Sequence, residues 1–229
     1  MKDISLIAFD ADDTLWECQT YFEAVEKEYC ELLKSYASAD EISKALFAVE
    51  TANMPLLGYG SKAFLLSLLE NAIEVSGGRL KADEVEKIIK LGKELLHLPG
   101  KPMDGVEETL KVLCERGEYH LVVFTKGELL DQENKFHRSG LKPYFDDIIV
   151  VSDKTEASYY QLCERFSINV EQLLMVGNSF RSDIEPVLKL GGWAAHIPFH
   201  TTWQHEVVEE YEHPHLLKLE YFTQLNQVL

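Results

Sequence analysis

The sequence predicts an α/β protein: a doubly wound parallel sheet that carries an inserted, all-helical cap domain. Three observations lead to this fold class. Residues 4–9 form a short, almost wholly apolar run that a polar turn ends, as in a buried strand of a parallel sheet. Residues 16–98 show apolar residues at helical spacing and no strand pattern, whereas strand and helix patterns alternate from residue 99 onward. The predicted domains are therefore 1–15 and 99–229 for the core and 16–98 for the cap.

The inserted block contains four segments whose apolar residues recur at helical spacing. Breaks are predicted at Pro55, at the glycine bend of residues 58–60 and at the glycine pair of residues 77–78. The predicted helices of this block cover residues 20–36, 39–52, 61–76 and 82–97.

After a stiff junction rich in proline and glycine at residues 99–102, each strand pattern is followed by a helix pattern. This alternation is typical of a parallel sheet with helices on both faces. The predicted strands cover residues 119–124, 147–151, 173–176 and, as the last strand, 193–197. The predicted helices cover residues 106–116, 128–139, 156–166 and 182–190.

Composition and charge argue against several function classes. The chain has 229 residues, with 22 Lys and Arg against 39 Asp and Glu, so the formal net charge is −17. This balance argues against nucleic acid and against an anionic membrane surface as partners, because both attract clustered cations. No run reaches the roughly 18 apolar residues of a membrane span, and the opening residues do not follow the signal-peptide pattern.

The four cysteines are scattered and show neither CxxC pairs nor zinc-ligand spacing. Such cysteines are typical of buried, reduced thiols, which indicates a cytoplasmic protein. We expect a small-molecule partner and a monomer or homodimer.

Polar side chains follow four of the predicted strands at their carboxyl ends, where ligands bind in open α/β sheets. The residues at these ends are Asp10, Asp12, Asp13 and Thr14 after the first strand; Thr125 and Lys126, followed by Gly127, after the second; Ser152, Asp153 and Lys154 after the third; and Asn178, Ser179 and Asp183 after the fourth. Carboxylates gathered at one edge repel one another unless a cation lies among them. Oxygen ligands of this kind suit Mg²⁺.

Asp10 and Asp12 stand two residues apart in one loop, so their carboxylates can converge on one substrate. One carboxylate can attack phosphorus as a nucleophile, and the other can transfer protons. Lys154 can neutralise the nucleophile and the phosphate, and the Thr125 hydroxyl with neighbouring N–H groups can bind phosphate oxygens. Asp13 is expected to be structural, because aspartate in a turn bonds its own backbone.

Taken together, these motifs resemble the haloacid dehalogenase-like (HAD) hydrolase superfamily. The first motif matches FDADDTL at residues 9–15, and the second matches the strand that ends in Thr125. The third matches Lys154 in VSDKTEASYY, and the fourth matches GNSFRSD at residues 177–183. The likeness covers the whole core in order. The helical block resembles the cap that this superfamily inserts between its first and second motifs, on a Rossmann-like core.

The resemblance implies that Asp10 is the nucleophile and Asp12 the general acid and base. It implies that the Asp10 carboxylate, the Asp12 carbonyl and Asp183 bind Mg²⁺. Asn178 stands where many members have aspartate. Its amide oxygen can bind the metal directly or hold a metal-bound water.

The resemblance also implies that Thr125 and Lys154 hold the phosphate. Lys126 and Gly127 follow Thr125 and join the predicted substrate-binding set, although a solvated surface lysine is the alternative for Lys126. Tyr59 and Lys62 lie in and beside the glycine bend of the helical block. We expect them to contact a second anionic group of the substrate, with an ordinary helix–helix turn as the alternative.

The aspartate at position 12 favours phosphoryl transfer, because the dehalogenases of this superfamily lack it and halide departure needs no proton. The prediction is a Mg²⁺-dependent phosphatase that hydrolyses a small-molecule phosphate monoester through an aspartyl-phosphate. Two alternatives remain open. One is a phosphomutase with the same chemistry, and the other is a non-catalytic protein that binds a phospholigand on this fold, which Asn178 favours.

Overall fold

The computed structural model describes residues 3–229 and divides the chain into two units. The core unit consists of Met1–Gln19 and Pro99–Leu229, and the helical unit is Thr20–Leu98. The first boundary falls four residues later than the predicted position after residue 15. The reason is Trp16, which is fully buried in the hydrophobic core of the core unit and pairs with Pro102.

The helical unit contains four helices. They are α1 (Gln19–Leu33), α2 (Ala39–Leu57), α3 (Ser61–Val75) and α4 (Ala82–Leu95). The predicted break at Pro55 is wrong, because α2 continues through this residue to Leu57. Pro55 lies in the last turn, where its missing N–H removes only one bond of the helix. The helix ends at Gly58, whose N–H donates to the Met54 carbonyl at 3.0 Å.

The described residues of the core unit form one six-stranded sheet in the order β3-β2-β1-β4-β5-β6, and every pair is parallel. The strands are β1 (Leu6–Phe9), β2 (His120–Lys126), β3 (Asp147–Val151), β4 (Leu173–Gly177), β5 (Trp193–His196) and β6 (Leu216–Lys218). The prediction of a doubly wound parallel sheet with an inserted all-helical domain is confirmed.

The sheet has one strand more than the sequence pattern predicts. The prediction that residues 193–197 are the last strand is wrong, because β6 pairs with β5 at the edge of the sheet. This strand has three residues, and none of them is fully buried. An edge strand with one partner needs no continuous apolar run, so its sequence pattern is weak.

Helices cover both faces of the sheet. They are α5 (Val106–Arg116), α6 (Leu129–Ser139), α7 (Glu156–Phe166), α8 (Glu185–Lys189) and α9 (Leu225–Val228). The helix predicted for residues 182–190 is divided, since Phe180–Ile184 forms a π-helical turn before α8. The π-turn brings Asp183 back toward the end of β4, as the site below shows.

The central position of β1 places the site. Its residues are fully buried, with Ile7 and Phe9 in the core on one face and Leu6 and Ala8 in the core on the other. In the register of the sheet, Phe9 lies beside Val123 of β2 and beside Val176 of β4. The loops that follow these three strands therefore start at the same edge of the sheet. From β1 the chain adds β2 and β3 on one side and β4, β5 and β6 on the other, and ligands bind at such a switch point.

The cysteines only partly follow the expectation of buried thiols. All four are free; Cys18, Cys30 and Cys163 are buried, whereas Cys114 on α5 is exposed. Among residues 3–229, none of the helices has the length and apolarity needed to span a bilayer.

Candidate active site

Three charged side chains meet at the carboxyl edge of the sheet. The Lys154 ammonium forms an ion pair with the Asp10 carboxylate and another with Asp183, whose Oδ1 lies 2.6 Å from Nζ. All three residues are buried. They come from the loops after β3, β1 and β4; β1 and β4 are neighbours in the sheet, and β2 separates β1 from β3.

Burial controls the electrostatics of this triad. It raises the pKa of Asp10 to about 7 against the opposing charge of Lys154, and the neighbouring Asp183 carboxylate raises it further. Burial also acts to lower the pKa of Lys154, but the two carboxylates outweigh it and raise that pKa. The lysine therefore stays an ammonium, and one positive charge serves two carboxylates.

A glycine and a π-helical turn hold Asp183 in place. The Ser179 N–H donates to Asp183 Oδ2 at 3.0 Å, and the Asp183 N–H donates to the Ser179 carbonyl at 2.9 Å. The Asp183 side chain packs directly on Gly177 at the end of β4. A Cβ at that glycine would lie 2.2 Å from Asp183 Oδ2, so no larger residue fits.

We expect Gly177→Ala to displace Asp183 and destabilise the core unit by about 1–3 kcal/mol, because overpacking forces a shift of side chain or backbone. Urea unfolding measures this cost. Activity at a temperature well below the transition should also fall, since Asp183 leaves its contact with Lys154. Wild-type stability in this variant would contradict the described packing.

The Asp12 carboxylate lies in a second cluster. Trp16 Nε1 donates to its Oδ1 at 2.8 Å, and Gln132 Nε2 donates to its Oδ2 at 2.9 Å. Lys135 Nζ lies 2.8 Å from Oδ1 and 2.7 Å from Oδ2. Burial acts to raise the pKa of Asp12, but the Lys135 charge and these hydrogen bonds outweigh it and hold the pKa below its ordinary value.

Sequence reasoning missed Gln132 and Lys135, although a signal was present. Helix α6 directs polar residues inward: Asp131, Gln132 and Lys135 are buried, whereas Leu129 and Leu130 are more than half exposed. A polar stripe at helical spacing beside exposed leucines indicates that the buried face of the helix serves polar partners.

Thr14 connects the end of β1 with the loop after β4. Its Oγ1 lies 3.1 Å from Asp10 Oδ2 and 3.0 Å from Asn178 Oδ1, and it accepts a hydrogen bond from the Asn178 N–H at 3.1 Å. Since a hydroxyl has one hydrogen, it donates to Asp10 or to Asn178 at any one time. Asn178 is thereby held beside Asp10.

Asp13 holds the loop that follows β1. Its backbone φ is 62°, in the left-handed region that aspartate tolerates better than most residues. Its carboxylate accepts hydrogen bonds from the Cys18 N–H at 2.7 Å and the Gln19 N–H at 2.9 Å. These bonds agree with the expected structural role.

Thr125 and Lys126 end β2, and Gly127 follows the strand. Lys126 and Gly127 make contacts within the core unit. Thr125 is buried near the end of the strand. The Gly127 N–H donates to the Val151 carbonyl at 3.1 Å.

The Lys126 ammonium donates to Ser182 Oγ at 3.0 Å and forms an ion pair with Glu206. Burial acts to raise the pKa of Glu206, but Lys126 outweighs it and lowers that pKa. The solvated lysine considered for position 126 is therefore wrong.

Tyr59 and Lys62 belong to the helical unit. Tyr59 lies in the bend between α2 and α3, and Lys62 lies in the first turn of α3. Their predicted contact with the substrate stays a prediction.

The oxygen donors of the site determine whether it can hold magnesium. Within the described part of the chain, no group of three or more His, Cys, Asp or Glu side chains is arranged to hold a metal ion. Asp10 and Asp183, however, both contact one cationic atom, Lys154 Nζ, and the amide oxygen of Asn178 lies near Asp10 through Thr14. Mg²⁺ commonly takes one or two carboxylates and completes its shell with water and substrate oxygens, so these residues fit it.

Comparison with known proteins identifies the family. The model of the haloacid dehalogenase-like hydrolase family matches residues 4–191, which include every core residue of the site except Glu206. The chain belongs to the haloacid dehalogenase-like hydrolase family. The resemblance to this superfamily is thereby confirmed.

Relatives of this HAD-like hydrolase have different activities. A haloacid dehalogenase-like family hydrolase from Xanthomonas campestris has a TM-score of 0.89 and 33% identity, covering 99% of this chain and 90% of its own. Haloacetate dehalogenase H-2 from Moraxella sp. (strain B) is 27% identical over 78% of this chain and 79% of its own. Pyrimidine 5'-nucleotidase PynA from Streptococcus pneumoniae (strain ATCC BAA-255 / R6) is 29% identical over 38% of each chain. The family therefore identifies a HAD-like hydrolase but does not decide between a phosphate ester and a halogenated acid as the substrate.

Proposed function

We propose that this HAD-like hydrolase is a Mg²⁺-dependent phosphatase that acts on a small-molecule phosphate monoester through an aspartyl-phosphate at Asp10. The observation that carries the proposal is the carboxylate of Asp12, two residues after the nucleophile in the same loop. A carboxylate at this position can give a proton to an alkoxide leaving group and later take one from water. A departing halide needs no proton, so dehalogenation gives this carboxylate no task.

The first half of the reaction forms the aspartyl-phosphate. An Asp10 carboxylate oxygen attacks phosphorus, the ester P–O bond breaks, and the proton of Asp12 passes to the departing oxygen. The Lys154 ammonium neutralises charge on the attacking carboxylate and the phosphoryl oxygens, and the Thr125 hydroxyl donates to one of those oxygens. Mg²⁺, when bound by the Asp10 carboxylate, Asp183 and the Asp12 carbonyl, supplies further charge neutralisation.

The second half returns the enzyme to its starting state. Asp12, now a carboxylate, accepts a proton from a water molecule as the water oxygen attacks phosphorus. The bond between phosphorus and the Asp10 oxygen breaks, and orthophosphate leaves. The low pKa of Asp12 favours the carboxylate form that this step requires, and it makes the protonated form that the first half requires a strong acid toward the departing oxygen.

Two further features support the choice of substrate and compartment. The helical unit is inserted in the sequence between β1 and β2, and an inserted domain of this kind favours small molecules over protein surfaces as substrates. All four described cysteines are free thiols, which supports a cytoplasmic location.

A panel of phosphate monoesters tests the proposal, measured as orthophosphate release with Mg²⁺ and with excess EDTA. We expect turnover of at least one small ester with Mg²⁺, background rates with EDTA, and recovery when Mg²⁺ is restored. Chloroacetate and fluoroacetate form the second arm, read out as halide release. Halide release without orthophosphate release would overturn the proposal in favour of a dehalogenase. A strict requirement for a sugar bisphosphate would favour the phosphomutase, and binding of orthophosphate without any turnover would favour the non-catalytic protein.

A further inference from the structure

Lys135 is buried, and a buried lysine requires an explanation. Its exposure is 2%, and it lies on the inward face of α6. An ammonium in such a place is costly unless it is paired and hydrogen-bonded. Its principal partner is the Asp12 carboxylate, while Asp131 lies farther away at 3.8 Å.

The contacts around Asp12 determine its orientation. Lys135 Nζ contacts both carboxylate oxygens, and each oxygen has one further donor. For Oδ1 this donor is Trp16 Nε1, and for Oδ2 it is Gln132 Nε2. With two donors on each oxygen, rotation of the carboxylate about its last bond breaks at least two hydrogen bonds.

Stability alone does not account for the arrangement. A buried ion pair is often no more stabilising than apolar residues of the same volume, so a methionine at position 135 could fill the space. What methionine cannot supply is a donor to both oxygens of the carboxylate that transfers protons. Lys135 also lies outside the triad of Asp10, Lys154 and Asp183, so it is not needed to neutralise the nucleophile.

We propose that Lys135, together with Gln132, is a positioning residue that fixes the orientation of the Asp12 carboxylate for proton transfer. This inference rests on the proposed phosphatase function. It extends that function by assigning the polar face of α6 to the proton-transfer half of the site, separate from the phosphate-binding half around Lys154.

The test uses leaving groups that differ in their need for a proton. Dinitrophenolate departs without protonation, whereas phenolate and alkoxides require it. In Lys135→Met we expect kcat/KM to stay within about 3-fold of wild type for 2,4-dinitrophenyl phosphate. For phenyl phosphate and for the best alkyl ester of the panel we expect a fall of about 100-fold, the usual size of a general-acid contribution. Asp12→Asn is the reference and should show the same pattern.

The matched control is Lys111→Met, which removes an exposed lysine of α5 and should leave kcat/KM unchanged for all three substrates. A uniform fall across the leaving groups in Lys135→Met, or no fall, would overturn the positioning role. If Lys135→Met fails to fold, as judged by thermal unfolding, Gln132→Met replaces it. That variant keeps the ion pair between Lys135 and Asp12 and loses one hydrogen-bond donor. We expect its kcat/KM to fall about 10-fold for phenyl phosphate and the alkyl ester but not for 2,4-dinitrophenyl phosphate. Absence of this difference would overturn the inference.

The two proposals fail in different ways. If wild-type protein releases no orthophosphate from any ester, the phosphatase function fails and the inference falls with it. If wild-type protein is active and the variants do not depend on the leaving group, only the role of Lys135 fails.

Discussion

Asp10→Asn is expected to lower kcat for an aryl phosphate by at least about 1,000-fold while the protein stays folded. The amide cannot form the acyl-phosphate bond that the carboxylate forms, so the covalent route is closed. Lys154 keeps its ion pair with Asp183, at 2.6 Å, so no buried charge loses its only partner. The repulsion between the two carboxylates, which contributes to the raised pKa of Asp10, also disappears.

The measurement compares steady-state rates and thermal unfolding of this variant with those of the wild type. An unfolding midpoint at or above the wild-type value separates lost chemistry from lost structure. Asp104→Asn, at an exposed position of the core unit, serves as the control and should keep both values. Turnover retained by Asp10→Asn within about 10-fold of wild type would remove the aspartyl-phosphate mechanism.

Lys154→Met is expected to abolish turnover and to lower the free energy of unfolding by about 3–5 kcal/mol, the cost of leaving buried charges without their partner. Asp10 and Asp183 would then face each other with no cation between them. Added Mg²⁺ should restore part of the lost stability, because a divalent cation can take the place of the ammonium between the carboxylates.

The pH dependence of this variant has a definite sign. The pKa of Asp10 is about 7 even with Lys154 present, and loss of the ammonium raises it further. A carboxyl whose folded-state pKa is raised contributes stability at low pH that is lost as the pH rises. The destabilisation in Lys154→Met should therefore shrink as the pH is lowered toward 7 and change little below it, where Asp10 is protonated in both proteins.

Urea unfolding at pH 5 and pH 8, with and without Mg²⁺, measures these effects. Lys189→Met is the matched control, since its ion pair with Glu185 at 3.0 Å is solvent-exposed. Such a surface pair contributes at most about 1 kcal/mol. A cost for Lys154→Met that is no larger than that of the control would contradict the role given to the buried triad.

The parts of the fold and site that local patterns encode could be predicted from the sequence. The apolar run of β1 predicts the buried strand, and the polar residues after it predict the position of Asp10. Lys154 and Asp183 are predicted near it because parallel strands end at a common edge. The ion pair of Lys154 with Asp183 is visible only in the structure.

The features that prediction missed depend on partners distant in sequence. Trp16 belongs to the core unit because its ring packs in that core and donates to Asp12, which no local pattern reveals. β6 is a strand because β5 offers an unpaired edge, and its own residues show little preference. Lys135 reaches a carboxylate 123 positions away, so only the folded chain brings the two together.

The ion pair with Glu206 gives Lys126 an anionic partner from within the protein. Glu206 lies on the segment between β5 and β6, so the protein supplies its own anion to this lysine. A tethered carboxylate acts at an effective concentration on the order of millimolar or higher. A ligand that binds Lys126 must displace the Glu206 carboxylate. An anion that binds Lys126 only weakly therefore does not replace Glu206, and the lysine keeps its positive charge.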